Sequence, residues 1–304
     1  MYKKYGLLFL AFSLLFLFYP GDSFYLHLFA YSPPTSKTIP SQKMIEPTPL
    51  PPIPYLQNAT PPFLTAEGVY VLDFPSYTPI YERNVKEKLF PASTTKIITA
   101  LVTMDVFDPE DVVTVKRDGI EGQVMNLVPG EKITVENLLY GLLVHSANDA
   151  AYALADAYGY DSFVKKMNAK AQSLGMDNSN FANPAGLDNM EQLTTPRDLA
   201  LASRSLLTNK LLKKIVSTKE ITVSDVDFMY FHQLVNVNKL LGEIQGIGGL
   251  KTGYTEAAGE NLISYYRKNS HEFIIVILKS ADRFQDTRNL VKWLDDNVKY
   301  CSLK

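Results

Sequence analysis

The sequence predicts a mixed α/β fold in which helices flank an antiparallel sheet and a helical subdomain is inserted into it. Strand-like runs stand at both ends of the region after residue 63. Segments of helical period lie between them, bounded by capping residues and glycines. Strands that open and close a domain around inserted helices pair most simply as one sheet completed from both ends of the chain.

The elements follow in order. "GVYVLDF" (68–74) and "PIYERN" read as two strands joined by "PSYT". A helix is expected from Ser93, then a short strand around "DVVTVKR". "TVENLLYGLLVHSANDAAYALADAYG" reads as two helices broken near His145-Ser146, with Thr134 as N-cap. "DSFVKKMNAKAQSLG" is amphipathic and ends at Gly175, and "TTPRDLALASRSLL" starts with Thr195 as N-cap and Pro196 at the first helical position. Strands return at "KEITVSD", "GGLKTGY", "ENLISYYRK" and "EFIIVILKS", and a helix from about Arg283 to Lys299 closes the chain. There is no internal repeat.

Before residue 63 the composition is different. Lys3 and Lys4 precede an apolar run from Tyr5 to Tyr19, closed by Pro20-Gly21, which is the pattern of a signal-type segment. The run is short against the about 20 residues of a membrane span. A second apolar patch from Phe24 extends it, and no small-x-small cleavage site follows. Residues 1–31 are therefore read as an uncleaved anchor rather than a removed signal peptide. Either way the lysines stay inside and the rest is extracytoplasmic, held at the cell membrane or secreted. Ten of the 18 prolines fall between Pro33 and Pro62, so 32–62 is read as an extended stalk. Residues 63–304 then form the folded domain.

With 304 residues there is enough chain for a full core, and a net charge of −2 gives no pull toward nucleic acid. Cys301 has no partner for a disulfide, and the four histidines show no metal-ligand spacing.

The chemistry is concentrated in a few short stretches. Ser93 and Lys96 are spaced to touch on a helix start, where the backbone favours negative charge. A serine there suits a nucleophile, provided burial or a neighbouring cation frees Lys96 to act as its base. Ser146-Ala147-Asn148 lies at the break between two helices, and Lys251-Thr252-Gly253 sits in an apolar strand, where glycine admits a close ligand and the cation suits a carboxylate. Together these stretches match the motif set of penicillin-interacting serine acyl-transfer enzymes.

On these motifs, and on "FPASTTKIITAL", "PGEKITVENLLYGLLVHSANDAA", "FANPAGLD", "TTPRDLA", "GLKTGYTEAAGENLI" and "DRFQDTRNLVKWL", the chain resembles the low-molecular-weight penicillin-binding proteins that act as serine-type D-alanyl-D-alanine carboxypeptidases. The resemblance runs from about Glu67 to Tyr300. It implies a β-lactamase/transpeptidase-like fold, no cofactor, a peptidoglycan stem peptide as substrate and β-lactams as inhibitors. It implies Ser93 as nucleophile, Lys96 as base kept neutral by Lys251, Ser146 as proton relay and Asn148 as the group that orients Lys96 and the substrate amide. The N–H groups of Ser93 and Tyr254 would form the oxyanion hole, and Thr252 and Arg283 would hold the substrate carboxylate. Many relatives carry histidines in the region occupied here by Ala185 and Gln192. The larger carboxypeptidases continue into a β-rich domain with a C-terminal membrane helix, so tethering is expected here from the N-terminal side. The alternatives on the same residues are a DD-endopeptidase that cuts cross-links, a β-lactamase, and a catalytically silent wall-binding protein.

Overall fold

The computed structural model describes residues 2–17, 52–57, 60–269 and 271–301. Contacts separate residues 1–50 from a unit spanning 51–304. In the first, helix α1 (Tyr2–Leu17) is formed by the N-terminal apolar run. Among the described residues no helix is long and apolar enough to cross a membrane. The apolar patch from Phe24 and the proline-rich run as far as Pro51 lie outside the described residues.

The second unit contains, in order, β1 (Ile53–Leu56), β2 (Gly68–Asp73), β3 (Pro79–Arg83), a 3-10 turn (Ala92–Thr95) and α2 (Lys96–Val106). Next come β4 (Val112–Thr114), β5 (Lys132–Thr134), α3 (Val135–Leu143), α4 (Asn148–Tyr158), α5 (Tyr160–Ser173), α6 (Pro196–Thr208) and α7 (Lys210–Val216). The last part comprises β6 (Glu220–Ser224), β7 (Phe231–Val235), β8 (Ile247–Thr255), β9 (Gly259–Lys268), β10 (His271–Ser280), α8 (Arg283–Asn297) and β11 (Val298–Cys301).

The main sheet has the order β3-β2-β10-β9-β8, with every neighbouring pair antiparallel. The expected antiparallel sheet is therefore present, built from both ends of the unit. Its central strands are buried on both faces, which is why "EFIIVIL" is apolar almost without interruption. Alternate residues divide between two cores. Tyr70, Leu72, Ile274, Val276 and Leu278 face the inserted helices, with Leu138, Leu142, Phe163 and Leu199. Val69, Val71, Ile275 and Ile277 face α8 with Leu290, Trp293 and Leu294. The foreseen N-caps are made: Thr134 Oγ1 accepts the Asn137 N–H at 3.3 Å and Thr195 Oγ1 that of Asp198 at 3.1 Å.

Several elements differ from expectation. The α-helix begins at Lys96, not Ser93, because Ala92 takes a left-handed φ of 47° and the chain runs through a 3-10 turn first. β6 finds its partner in "FHQLV", where the inward position of His232 disguises the alternation of a half-buried strand. α8 stops at Asn297 and the chain enters β11. β11 pairs antiparallel with β1, inside the segment expected to be a stalk. Extended polyproline and β backbones lie close in φ and ψ, so such a segment pairs where an open strand edge is offered. Pro54, which lacks an N–H, is tolerated in this two-stranded edge. Folded contacts therefore start before Phe63.

Candidate active site

The 3-10 turn carrying Ser93 is held from several sides. Buried Asn261, on β9, donates from Nδ2 to the carbonyls of Phe90 (2.9 Å) and Pro91 (3.0 Å) and accepts the Lys279 N–H at 2.8 Å. Ala92 is strained at positive φ, and backbone strain of this kind is kept only where the surroundings enforce it. On one side a Cβ added to Gly253 would stand 3.0 Å from the Ser93 nitrogen, so β8 runs against the turn. On the other a Cβ added to Gly186 would lie 2.0 Å from the Ala92 oxygen. Glycine is required at 186, and at 253 a side chain would have to push the serine turn back by a few tenths of an ångström.

Ser93 is half-buried, and Lys96 one turn later is fully buried. Lys96 Nζ lies 2.9 Å from Ser93 Oγ, 2.7 Å from Asn148 Oδ1 and 2.5 Å from the Ala185 carbonyl. An ammonium donates to all of these; a neutral amine donates to the amide and the carbonyl and turns its lone pair to the serine hydroxyl. Burial lowers the Lys96 pKa to about 7, against the pull of the Asp149 carboxylate, which raises it. The neutral form is thus accessible near neutrality, and burial is its chief cause.

The second lysine is buried near enough to feel the charge of the first. Lys251 Nζ donates to Ser146 Oγ at 2.7 Å and to the Thr252 carbonyl at 3.0 Å. Burial pushes its pKa well down, and the positive charges of Lys96 and Arg283 push it further. Ser146 sits between α3 and α4 with φ of 63°, another left-handed non-glycine residue. Asn148 opens α4, its Nδ2 on the Glu121 carbonyl and its N–H on that of Gln123, both at 2.7 Å. Ser93, Lys96 and Asn148 are thus directly connected, as are Lys251 and Ser146.

Arg283, the first residue of α8, reaches β8: Nη1 donates to the Gly253 carbonyl at 2.6 Å. Its Nε is buried with no partner among the described residues, an orphan donor on the guanidinium that meets Gly253. Tyr254 is the next residue of β8, and its side chain is 61% exposed.

The sequence reading missed the frame around these groups. Asn183 Oδ1 accepts the N–H groups of Ala185, Gly186 and Leu187 at 2.8–3.2 Å, and buried Gln192 Oε1 accepts those of Ala182 and Asn183 at 3.0 Å. Together they fix the carbonyl of Ala185 on Lys96. A backbone acceptor leaves no trace in residue type. Asn261 was visible as the only amide inside the apolar run "NLISYY".

The chain is similar to known proteins in both sequence and fold. The profile of the D-alanyl-D-alanine carboxypeptidase family matches residues 56–282. The D-alanyl-D-alanine carboxypeptidase DacF of Bacillus subtilis is 33% identical over 225 residues, covering 71% of this chain and 58% of the relative. DacC of Escherichia coli is 33% identical over 257 residues, covering 78% of this chain and 63% of the relative. The chain thus spans about six tenths of the length of these two relatives. Among solved structures, the Streptomyces K15 DD-transpeptidase superposes with a TM-score of 0.73 at 30% identity, covering 78% of this chain and 98% of that one. A D-alanyl-D-alanine carboxypeptidase from Mycobacterium tuberculosis gives 0.74 at 28% identity over 79% of this chain and 95% of the other. The serine turn, its buried lysine and the strand closed against them are set in a chain that belongs to the D-alanyl-D-alanine carboxypeptidase family.

Proposed function

We propose that this protein is a serine-type D-Ala-D-Ala carboxypeptidase that removes the terminal D-alanine of peptidoglycan stem peptides and is inhibited by β-lactams. The observation that carries the reading is Lys96: a buried amine with pKa about 7, its lone-pair direction free for Ser93 once Asn148 and Ala185 take its hydrogens. Ser93 Oγ attacks the carbonyl between the two D-alanines while Lys96 takes its proton. The oxyanion forms between the N–H groups of Ser93 and Tyr254, on two segments that Gly253 lets approach. As the tetrahedral centre collapses, the leaving amine takes a proton through Ser146, whose hydroxyl bonds Lys251. The terminal carboxylate is held by Thr252 and by Arg283, whose unpartnered Nε–H it would satisfy. Water then hydrolyses the Ser93 ester. A β-lactam opens on the same serine and stays, because its acyl group leaves slowly.

The N-terminal segment with Lys3 and Lys4 supports an extracytoplasmic placement, tethered to the membrane through residues 1–31. The test uses the full chain and mass spectrometry. A pentapeptide ending in D-Ala-D-Ala should lose one D-alanine, and penicillin should add its mass to Ser93 but not to a Ser93→Ala variant. An adduct with no D-alanine released would move the assignment to cleavage of cross-links, and fast turnover of penicillin would move it to a β-lactamase. Absence of both adduct and product would leave a silent wall-binding protein.

A further inference from the structure

Asn148 owes its place to the loop between β4 and β5, and that loop is fastened at a site remote from the serine. The loop gives the carbonyls of Glu121 and Gln123 to Asn148, and at Gly122 it passes so close that an added Cβ would lie 2.7 Å from Asn148 Nδ2. Two residues after Gln123, the Met125 carbonyl accepts a hydrogen bond from His232 Nδ1 at 2.8 Å. His232 is buried on β7, and its Nε2 meets Glu131 Oε1 at 2.7 Å. The other oxygen of Glu131 accepts the Val128 N–H at 2.9 Å, so loop, carboxylate and imidazole form one connected unit.

The donor count fixes how many protons this unit holds. A carbonyl only accepts, so Nδ1 carries a hydrogen. The 2.7 Å contact between Nε2 and Oε1 needs a further hydrogen, on the ring or on the carboxyl. The pair therefore holds one proton more than a neutral histidine beside an ionised glutamate. We infer that His232 and Glu131 are positioning residues whose shared proton latches the 121–128 loop and, through it, holds Asn148 on Lys96. The inference rests on the serine acyl-transfer reading of the site.

With the proton bound, every partner is satisfied and the latch is closed. Without it, the one ring hydrogen serves only one of the two contacts. Either the Nε2 lone pair faces the carboxylate, or the other tautomer sets the Nδ1 lone pair against the Met125 carbonyl. A buried lone-pair clash is relieved by turning the ring or moving the loop. Turning the ring breaks the bond to Met125. Other titratable or charged groups on the packed elements are Asp149 at the start of α4, Asp225 in the β6–β7 turn, exposed Lys132 beside Glu131, and His145, which meets Gln123. Among the described residues none of them hydrogen-bonds the pair.

Glu131→Gln separates this proton from the rest of the site. Its amide donates to His232 Nε2, its carbonyl receives the Val128 N–H, and Nδ1 keeps its hydrogen on Met125, so the latch closes with no titrating proton. The experiment follows penicillin acylation of Ser93 in the full chain, kept soluble in a non-ionic detergent, from roughly pH 6 to pH 10. The native rate should fall about tenfold or more at the alkaline end, as expected when a catalytic group drifts from its place. The Glu131→Gln rate should match native near neutrality and stay within about twofold across the alkaline range, on the same argument. Parallel decline of both forms would overturn the latch. A second readout needs no variant: carbon and nitrogen NMR of labelled histidine and glutamate in the native chain. It should find Nδ1 protonated together with either Nε2 or the Glu131 carboxyl near neutrality, and a neutral imidazole of either tautomer beside an ionised Glu131 would refute the inference. If no form is acylated at any pH, the acyl-transfer reading itself fails, and the NMR titration still decides the latch.

Discussion

A lysine at the start of a buried helix costs stability, and here the cost has a use. With its pKa brought to about 7 by burial, Lys96 is mostly protonated below that pH and mostly neutral above it. Only the neutral amine can take the Ser93 proton, so penicillin acylation should rise with pH through about 7, ahead of the alkaline decline expected from the His232–Glu131 latch. Stopped-flow mixing across that range measures it, and a flat profile would remove Lys96 from the role of base. Lys96→Arg supplies the same charge with a group that does not deprotonate, and should slow acylation by about 10²–10⁴-fold. A smaller loss would mean that charge alone, not proton transfer, is what the position supplies.

At the scale of elements, strands and loops hold the serine turn more than the helix that follows it. Asn261 carries hydrogen bonds to Phe90, Pro91 and Lys279 from a fully buried position. Asn261→Ala strands those groups away from water, at a cost of about 3 kcal/mol. For a unit of this size the melting temperature should fall by roughly 6–12 °C. Acylation measured well below the new midpoint should drop about tenfold or more, because the turn loses its fix on β9. A stable variant with native acylation would show that Ala92 and the flanking glycines suffice. The sequence made the motifs of this site legible, since Ser93, Lys96, Ser146 and Lys251 are costly residues in apolar settings. It hid the acceptor on Lys96, which is the backbone of Ala185, and the 3-10 turn, which depends on contacts from β8 and β9. Periodicity reports which face of an element is buried; it carries no record of a carbonyl delivered from a distant loop.

For the whole molecule, the order of strands and helices was enough to foresee an antiparallel sheet closed by both ends of the chain. What it missed is the attachment at the back of the sheet. The proline-rich composition before residue 63 suggested a free stalk, yet β1 pairs with β11, the Gln57 N–H reaches the Asn297 carbonyl at 3.2 Å, and Trp293 Nε1 donates to the Thr60 carbonyl at 2.8 Å. These contacts hold the end of α8, the helix whose first residue, Arg283, reaches the Gly253 carbonyl. Little apolar surface is involved: Ile53 and Tyr55 remain 51% and 52% exposed, and only Pro54 is buried. The strap therefore contributes through hydrogen bonds, each worth about 1 kcal/mol net. A chain starting at Phe63 should melt roughly 3–10 °C below one starting at Pro51. Both should be acylated by penicillin at equal rates at room temperature, since every residue assigned to the chemistry lies beyond the strap. Calorimetry of the two chains measures the first expectation. Equal melting points would show that the strap adds no stability. A loss of acylation with the melting point intact would instead show that β1 steadies Arg283 through α8, making the strap part of how the carboxylate is held.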